Sequence, residues 1–206
     1  MTDLKNAYAL NTPEDSKRLY ADWAETYDDT FAAGMDYQMP RLVAFIYAEI
    51  AGGMGPVLDV GAGTGLLAQN IPMRASLEID ALDISPEMLR TAAGKEVYRK
   101  LIEADLTQPL KLADGTYGAV VSSGTFTHGH VGPDALDELL RVARKGAIFV
   151  LAVNAEHFEA RGFAAKFDAI SERIDDLEFR KIRIYGDASQ DDHKDDEAQI
   201  ATFRKR

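Results

Sequence analysis

Five short, mainly apolar runs, separated by segments with helical features, follow one another between residues 57 and 153. Such runs are typical of strands that are buried on both faces of a sheet. Strands that alternate with helices form parallel sheets with helices on both faces. The alternation therefore predicts a doubly wound α/β fold. The predicted strands of this series are Val57–Val60, Leu77–Asp83, Leu101–Ala104, Ala119–Ser122 and Ala147–Val153.

Two more strands are predicted after this series, over 178–185 and 199–204, and a predicted helix over 156–174 precedes them. The connection between the two strands is short and has no helical pattern, which favours antiparallel pairing. We therefore expect a mainly parallel sheet of seven strands whose last strand is antiparallel. The connecting loop, 186–198, is rich in acidic residues. It is either a solvent-exposed connection or a lid over a cationic substrate.

Two predicted helices precede the first strand. The first begins at the N-cap Thr12, which is followed by a proline and an acid. The second covers 40–50. We expect residues 1–54 to form a helical cap over the mouth of an α/β core, 55–206, within a single domain. The first helix carries an apolar stripe at every fourth position, formed by Leu19, Trp23, Tyr27 and Phe31.

The composition restricts the chemistry of the protein. The 206 residues are 46% hydrophobic and 28% charged, which suits one globular domain. The chain has no cysteine, so thiolate nucleophiles and cysteine-ligated metal sites are excluded. A formal net charge of −11 disfavours nucleic acid as a partner. No apolar run is long enough to cross a bilayer, and no signal sequence is evident, so we expect a cytoplasmic protein with a small-molecule partner. Its oligomeric state is left open.

The segment Val57–Leu67 joins the first strand to a turn with glycines at 61, 63 and 65. Glycine permits positive φ and close approach of a ligand to the backbone. The turn lies at the carboxyl end of a parallel strand, where α/β sheets bind ligands. A dinucleotide fingerprint requires glycine where Leu66 stands, and the lysine of a phosphate-binding loop is absent. Asp59, just before the turn, also disfavours a phosphate ligand.

This segment resembles the first motif of the class I S-adenosylmethionine-dependent methyltransferases. Segments 81–89, 103–106 and 119–128 resemble later motifs of that family at matching intervals, and 199–206 resembles its last strand. The resemblance spans nearly the whole chain. It implies a Rossmann-like methyltransferase fold, S-adenosylmethionine as the cofactor and S-adenosylhomocysteine as the product.

The resemblance also implies roles for acidic residues at the ends of strands. Asp83 is expected to hold both ribose hydroxyls, with Asp80 as a nearby competitor. Asp59 is expected to accept hydrogen bonds from amides of the turn or, through water, from the cofactor ammonium. Asp105 and the amide after it would bind the adenine amino group, and the alternative for Asp105 is a turn-forming role before Pro109. The predicted cofactor-binding residues in full are Tyr20, Tyr27, Arg41, Asp59, Gly61, Ala62, Gly63, Thr64, Gly65, Asp83, Ile84, Met88, Asp105, Leu106, Ser123, Gly124 and Thr125.

The N-terminal segment 20–28 resembles a helix of small-molecule methyltransferases, including the Williams-Beuren-region methyltransferase-like proteins. In that position Tyr27 would bond the cofactor carboxylate, and Arg41 would pair with the same group. The alternatives are that Trp23 and Tyr27 pack as part of the apolar stripe and that Arg41 faces water.

The segment that follows the fourth strand is expected to lie beside the acceptor. His128 is the predicted general base there, because its pKa suits proton removal, and the alternative is a solvent-exposed loop histidine. Phe126 is expected to pack on adenine or to enclose the substrate. Methyl transfer requires positioning and exclusion of water, and no metal site is expected. The predicted function is methyl transfer to a small molecule; the alternatives are an inactive cofactor-binding protein or a nicotinamide-dependent oxidoreductase.

Overall fold

The computed structural model describes residues 12–127, 131–189 and 192–206, and in these ranges the chain forms a seven-stranded sheet. The strands lie in the order β3-β2-β1-β4-β5-β7-β6. β7 runs antiparallel to both of its neighbours, whereas the pairs among β1 to β5 are parallel. The predicted fold is therefore confirmed. The strands are β1 (Val57–Val60), β2 (Ile79–Asp83), β3 (Lys100–Glu103), β4 (Tyr117–Phe126), β5 (Ala143–Asn154), β6 (Ile174–Arg183) and β7 (Glu197–Lys205).

Two of the helices, α1 (Pro13–Trp23) and α4 (Pro86–Ala93), begin at capping side chains that the sequence predicted. Thr12 Oγ1 accepts a hydrogen bond from the amide of Asp15 at 3.1 Å, and Ser85 Oγ accepts one from the amide of Met88 at 3.2 Å. Short 3₁₀ turns cover Arg74–Ser76 and Ser171–Arg173, and a π-helical segment covers Tyr27–Ala33. The α-helices are α1 (Pro13–Trp23), α2 (Met39–Ala51), α3 (Leu66–Asn70), α4 (Pro86–Ala93), α5 (Ala135–Val142), α6 (Ala155–Ala160) and α7 (Phe163–Ala169).

Both faces of the sheet are buried. Successive strand side chains point to opposite faces, so Val57 packs in one core cluster while Leu58 packs in the other. Tyr47 of α2 belongs to the first cluster and Leu139 of α5 to the second. α2 thus belongs to a layer that covers the sheet, and Pro40 in its first turn is the part of the helix that reaches the cleft described below.

The helix predicted over 156–174 is two helices in the structure, α6 and α7. Gly162, between them, has φ of 74°, a left-handed conformation that ends α6. β6 then begins at Ile174, earlier than predicted.

The aromatic stripe of the N-terminal region is preserved although the helix changes pitch. α1 ends at Trp23, and the π-helical segment follows after a short turn. The ring of Trp23 remains 6.0 Å from Tyr27 and 5.5 Å from Phe31, measured between centroids. Trp23 also packs against Met88 of α4. The N-terminal region is therefore anchored over the carboxyl ends of the strands.

Candidate active site

The glycine turn after β1 is shaped so that backbone faces open space. Gly61 and Gly63 have φ of 63° and 54°. A Cβ on Gly61 would meet Thr125 Oγ1 at 1.8 Å, so only glycine fits there. A Cβ on Gly63 would meet nothing within 4 Å, and Gly63 lines a cleft. The turn therefore presents bare backbone to a ligand.

Asp83 joins the end of β2 to this turn. Its Oδ2 accepts a hydrogen bond from the amide of Gly63 at 2.8 Å, and its Oδ1 accepts one from the amide of Ser85 at 2.9 Å. Burial raises the pKa of Asp83, and these backbone bonds oppose the rise. Each carboxylate oxygen can accept a further hydrogen bond, and Asp83 lines the cleft. It is thus placed to accept from two hydroxyls of a ligand.

Asp80, the competitor, has a structural role. Its carboxylate accepts from the guanidinium of Arg99 at 2.9 and 2.8 Å and from the hydroxyl of Tyr117 at 2.9 Å. It does not line the cleft.

Asp59 lies behind the glycine turn and does not line the cleft. Its Oδ2 accepts a 2.6 Å hydrogen bond from the hydroxyl of Tyr98, where bonds from turn amides had been expected. Burial raises the pKa of Asp59 to about 7, while bonds from Tyr98 and the backbone of Ala68 lower it. Tyr98 also limits the turn on this side, because a Cβ on Gly65 would approach its ring to 2.9 Å.

The facing wall of the cleft comes from the end of β4. The hydroxyls of Ser122 and Thr125 each donate to the carbonyl oxygen of Val60 at 2.8 Å, which fixes this strand end against β1. Ser123, Gly124 and Thr125 line the cleft. Phe126 does not. It is fully buried in the core, 5.7 Å from the ring of Phe163, so the prediction that it encloses a ligand is wrong.

The N-terminal region closes the cleft from above. Tyr20 and Tyr27 line it, and burial raises the pKa of both, that of Tyr20 to about 12. Asp28 tethers this region to the turn: Thr64 Oγ1 donates to its Oδ1 at 2.5 Å, and Lys95 Nζ pairs with its Oδ2 at 2.5 Å. We refer to these contacts as the Asp28 bridge.

The structure brings most of the predicted cofactor-binding residues to one cleft. Arg41 is exposed and lies outside it. Asp105 accepts from the amide and the hydroxyl of Thr107 at 2.8 Å, as a turn-forming residue does, and is also outside the lining. Gly65 is outside as well, and His128 lies outside the described residues. The predicted residues that line the cleft are Tyr20, Tyr27, Gly61, Ala62, Gly63, Thr64, Asp83, Ile84, Met88, Leu106, Ser123, Gly124 and Thr125.

The sequence analysis missed several other residues that line the cleft. Tyr37 is the clearest case: it lines the cleft, and its hydroxyl donates to the carbonyl oxygen of Ser123 at 2.8 Å. Its position two residues before α2 carried no pattern that pointed to the site. The missed lining residues are Tyr37, Pro40, Leu66, Leu67, Leu82, Ala104, Thr127 and Val131.

The cleft continues into a second space. The first part, which we call the main cleft, encloses about 940 Å³, some of it open to solvent. The second part, the aromatic compartment, spans about 610 Å³, some of it also open to solvent. It shares with the main cleft the residues Tyr20, Tyr27, Tyr37, Ser123, Gly124 and Thr127. The aromatic compartment is otherwise lined by Trp23, Phe31, Met39, Ala152, Asn154, Ile184, Tyr185 and Ala198.

The main cleft fits a nucleoside without phosphates better than a dinucleotide. None of its described lining residues is cationic, and Asp83 would oppose a pyrophosphate. Its carboxylate matches a ribose diol, and the bare backbone at Gly63 leaves room for the rest of the ligand. The described residues contain no cluster of three or more side chains able to hold a metal ion. No helix in those ranges is both long and apolar enough to span a membrane.

Comparisons with known proteins agree with this geometry. A family model described as a methyltransferase domain matches residues 58–151. Methyltransferase-like protein 27 of Homo sapiens is 33% identical over 136 residues, which cover 64% of this chain and 55% of the relative. Demethylmenaquinone methyltransferase of Renibacterium salmoninarum is 32% identical over 143 residues, which cover 68% and 59%. The alignments thus span less than two thirds of either relative.

A solved structure shows the same fold. The crystal structure of a putative S-adenosyl-L-methionine-dependent methyltransferase from Methanococcus maripaludis superposes with a TM-score of 0.61 at 19% identity, over 90% of this chain and 91% of that one. The matched family model, together with the fold and the glycine turn beside Asp83, identifies residues 58–151 as a methyltransferase domain of the class I S-adenosylmethionine-dependent type, whose cofactor is S-adenosylmethionine.

Proposed function

We propose that this protein is a methyltransferase that transfers the methyl group of S-adenosylmethionine to a small-molecule acceptor by in-line displacement. The observation that carries the proposal is the continuity of the two spaces. The main cleft contains the glycine turn and Asp83, and the aromatic compartment adjoins it across Ser123 and Gly124. A cofactor in the first space and an acceptor in the second would meet at this shared wall.

The residues of the chain bind, orient and exclude water in this scheme. S-adenosylmethionine, when bound, supplies a methyl group on a sulfonium, and an acceptor lone pair displaces a neutral sulfide. Asp83 would accept hydrogen bonds from the ribose hydroxyls, and the bare backbone at Gly63 would leave room for the rest of the cofactor. The rings of Tyr20 and Tyr27 cover the cleft and keep water from the transfer. Positioning of the reactants and exclusion of water together would supply most of the rate acceleration.

The relatives support a small acceptor without identifying it. One of them is named for demethylmenaquinone, a small molecule. The net charge of −11 supports the further proposal that nucleic acid is not a partner. A cytoplasmic location is a separate proposal. We also propose a single domain with an N-terminal cap, 1–54, and an α/β core, 55–206.

Calorimetric titration separates the cofactor from its main competitor. We expect S-adenosylmethionine and S-adenosylhomocysteine to bind and NAD not to bind. Binding of NAD without binding of S-adenosylmethionine would instead support the oxidoreductase.

Incubation with methyl-labelled cofactor and a metabolite extract then tests transfer. We expect the label to appear in a low-molecular-weight product. Cofactor binding without any labelled product would favour a binding protein that has no catalytic activity.

A further inference from the structure

The aromatic compartment has walls that favour an uncharged ligand. None of its described lining residues carries a charge. A charged ligand would therefore lose hydration that no described group in the walls replaces. Flat apolar groups, in contrast, pack well against rings. The rings that line the compartment are those of Tyr20, Trp23, Tyr27, Phe31, Tyr37 and Tyr185.

Asn154 contributes an unpartnered polar group to these walls. It is the last residue of β5, and only 4% of its surface is exposed. Its Oδ1 accepts hydrogen bonds from the amides of Glu156 at 3.0 Å and His157 at 3.1 Å. Its Nδ2 has no acceptor among the described residues. Among the described residues, the Ser189 hydroxyl is the one side-chain group that is fully buried and has no hydrogen-bond partner. The Nδ2 of Asn154 is not in that group, although it has no acceptor, so it is not fully buried. The Nδ2 of Asn154 therefore retains contact with open space, and Asn154 lines the aromatic compartment.

The two hydrogen bonds from backbone amides determine the orientation of the Asn154 side-chain amide. Backbone N–H groups can bond only to the carbonyl oxygen of the side-chain amide, so the NH₂ group must point away from Glu156 and His157. The compartment thus receives hydrogen-bond donors at this position and no acceptor from the same amide. Ring faces also attract cations, but donor hydrogens repel them, and none of the described lining residues is a carboxylate.

We propose that Asn154 is a specificity-determining residue whose Nδ2 donates a hydrogen bond to the carbonyl oxygen of an uncharged, ring-containing methyl acceptor. The ring lies against Trp23 and its aromatic neighbours. This inference rests on the proposed function, because it assigns the aromatic compartment to the acceptor of that reaction.

Four ring compounds of matched size test the proposal. They are 2-acetylnaphthalene, which has a neutral carbonyl, 2-ethylnaphthalene, which has no acceptor, naphthalene-2-carboxylate, and naphthalene-2-methylammonium. Trp23 is the single tryptophan of the chain and lines the compartment, so its indole N–H resonance in NMR spectra reports binding. We expect the ketone to bind at least about 10-fold more tightly than the other three. Tighter binding of either ion, or no shift with any compound, would overturn the proposal.

The substitution Asn154→Asp tests the residue itself. Aspartate keeps an oxygen for the two helix amides and is a favourable cap, so the fold should be retained. It replaces the donor by an anion, and we expect ketone affinity to fall by about 10-fold or more and ammonium affinity to rise. Asn70→Asp is the matched control, because Asn70 donates to the carbonyl oxygen of Leu66 at 2.8 Å and lines neither space. An unchanged ranking of the four compounds in Asn154→Asp would refute the role of Asn154.

Calorimetry with S-adenosylmethionine on the same variants keeps the two proposals apart. We expect Asn154→Asp to bind the cofactor as the wild-type protein does, since Asn154 does not line the main cleft. If the wild-type protein fails to bind S-adenosylmethionine, the proposed function fails even where the ketone preference is present. If the cofactor binds and the ketone preference is absent, only the inference about Asn154 fails.

Discussion

The hydroxyl of Tyr98 donates a 2.6 Å hydrogen bond to the Oδ2 of Asp59 directly behind the glycine turn. The two residues are 39 positions apart in the chain, and the ring of Tyr98 packs against a small cluster that includes Leu89 of α4. The pair supports the turn from the side opposite the ligand, because the ring of Tyr98 also limits the space at Gly65. Asp59 therefore acts on the cleft through the backbone it supports.

The raised pKa of Asp59 predicts a pH-dependent stability. An acid whose pKa rises on folding binds its proton more tightly in the folded state. Its contribution is therefore complete below the ordinary pKa of 3.8 and is lost as pH rises to about 7. The size of this shift corresponds to about 4 kcal/mol. Asp59→Asn keeps an oxygen for Tyr98 and removes the titration. We expect the wild-type protein to lose unfolding free energy, measured in urea, relative to the variant as pH rises through this window. Parallel profiles would contradict the assignment.

Asp83→Ala should weaken cofactor binding. The variant loses the acceptor for the ribose hydroxyls, and we expect a loss of about 1 to 3 kcal/mol of binding free energy by calorimetry. Asp80→Asn is the control, since Asp80 pairs with Arg99 away from the cleft. It should lower the melting temperature without changing affinity. Equal affinity of folded Asp83→Ala and wild-type protein would remove the ribose assignment.

Gly63→Ala should separate binding from stability. The new Cβ would enter open space in the main cleft, so it should obstruct the cofactor, and the positive φ should cost about 1 to 2 kcal/mol of stability. Gly146→Ala is matched in backbone, with φ of 80° and nothing within 4 Å of the new Cβ, but lies away from the cleft. We expect similar melting temperatures for the two variants and reduced cofactor affinity for Gly63→Ala alone. Reduced affinity in both would attribute the effect to backbone strain.

Asp28→Asn should loosen the N-terminal region. The substitution breaks the partly buried pair with Lys95 in the Asp28 bridge. We expect faster proteolysis within residues 12–37 and a fall in cofactor affinity of about fivefold, which corresponds to about 1 kcal/mol. Glu103→Gln removes the pair with Lys17, whose two side chains are 44% and 51% exposed, and should change neither measurement, because exposed pairs contribute little. Identical cleavage of all three proteins would show that the Asp28 bridge does not hold this region closed.

Sequence patterns correctly predicted those elements that are determined by residues close together in the chain. β1 has the predicted limits, and the caps at Thr12 and Ser85 bond as expected, because a strand in a parallel sheet and a helix cap are specified by neighbouring residues. The predicted helix over 156–174 failed because one glycine with a left-handed backbone divides it. The apolar pattern on either side of Gly162 gave no indication of that break.

The candidate site was predictable where a motif sits on one strand end. Asp83 and the glycine turn lie on the cleft because each stands at the carboxyl end of a parallel strand, β2 and β1 respectively. Tyr98 and Asn154 were missed because their roles depend on partners brought close only by folding. Phe126 was assigned to the ligand from its place after the predicted fourth strand, Ala119–Ser122, yet β4 extends to Phe126 and its ring is buried in the core.

The reversed direction of β7 brings residues of β7 and of the segment after β6 to the aromatic compartment, and these residues do not line the main cleft. Because β7 lies between β5 and β6 and runs antiparallel to both, the start of β7 lies beside the end of β5, where Asn154 is paired with Ala198. The glycine turn is on the other half of the sheet, beyond β4. Changes in the connection between β6 and β7 should therefore alter the wall of the aromatic compartment and leave the glycine turn unchanged. Under the proposed function, the preference for an acceptor can then change independently of cofactor binding.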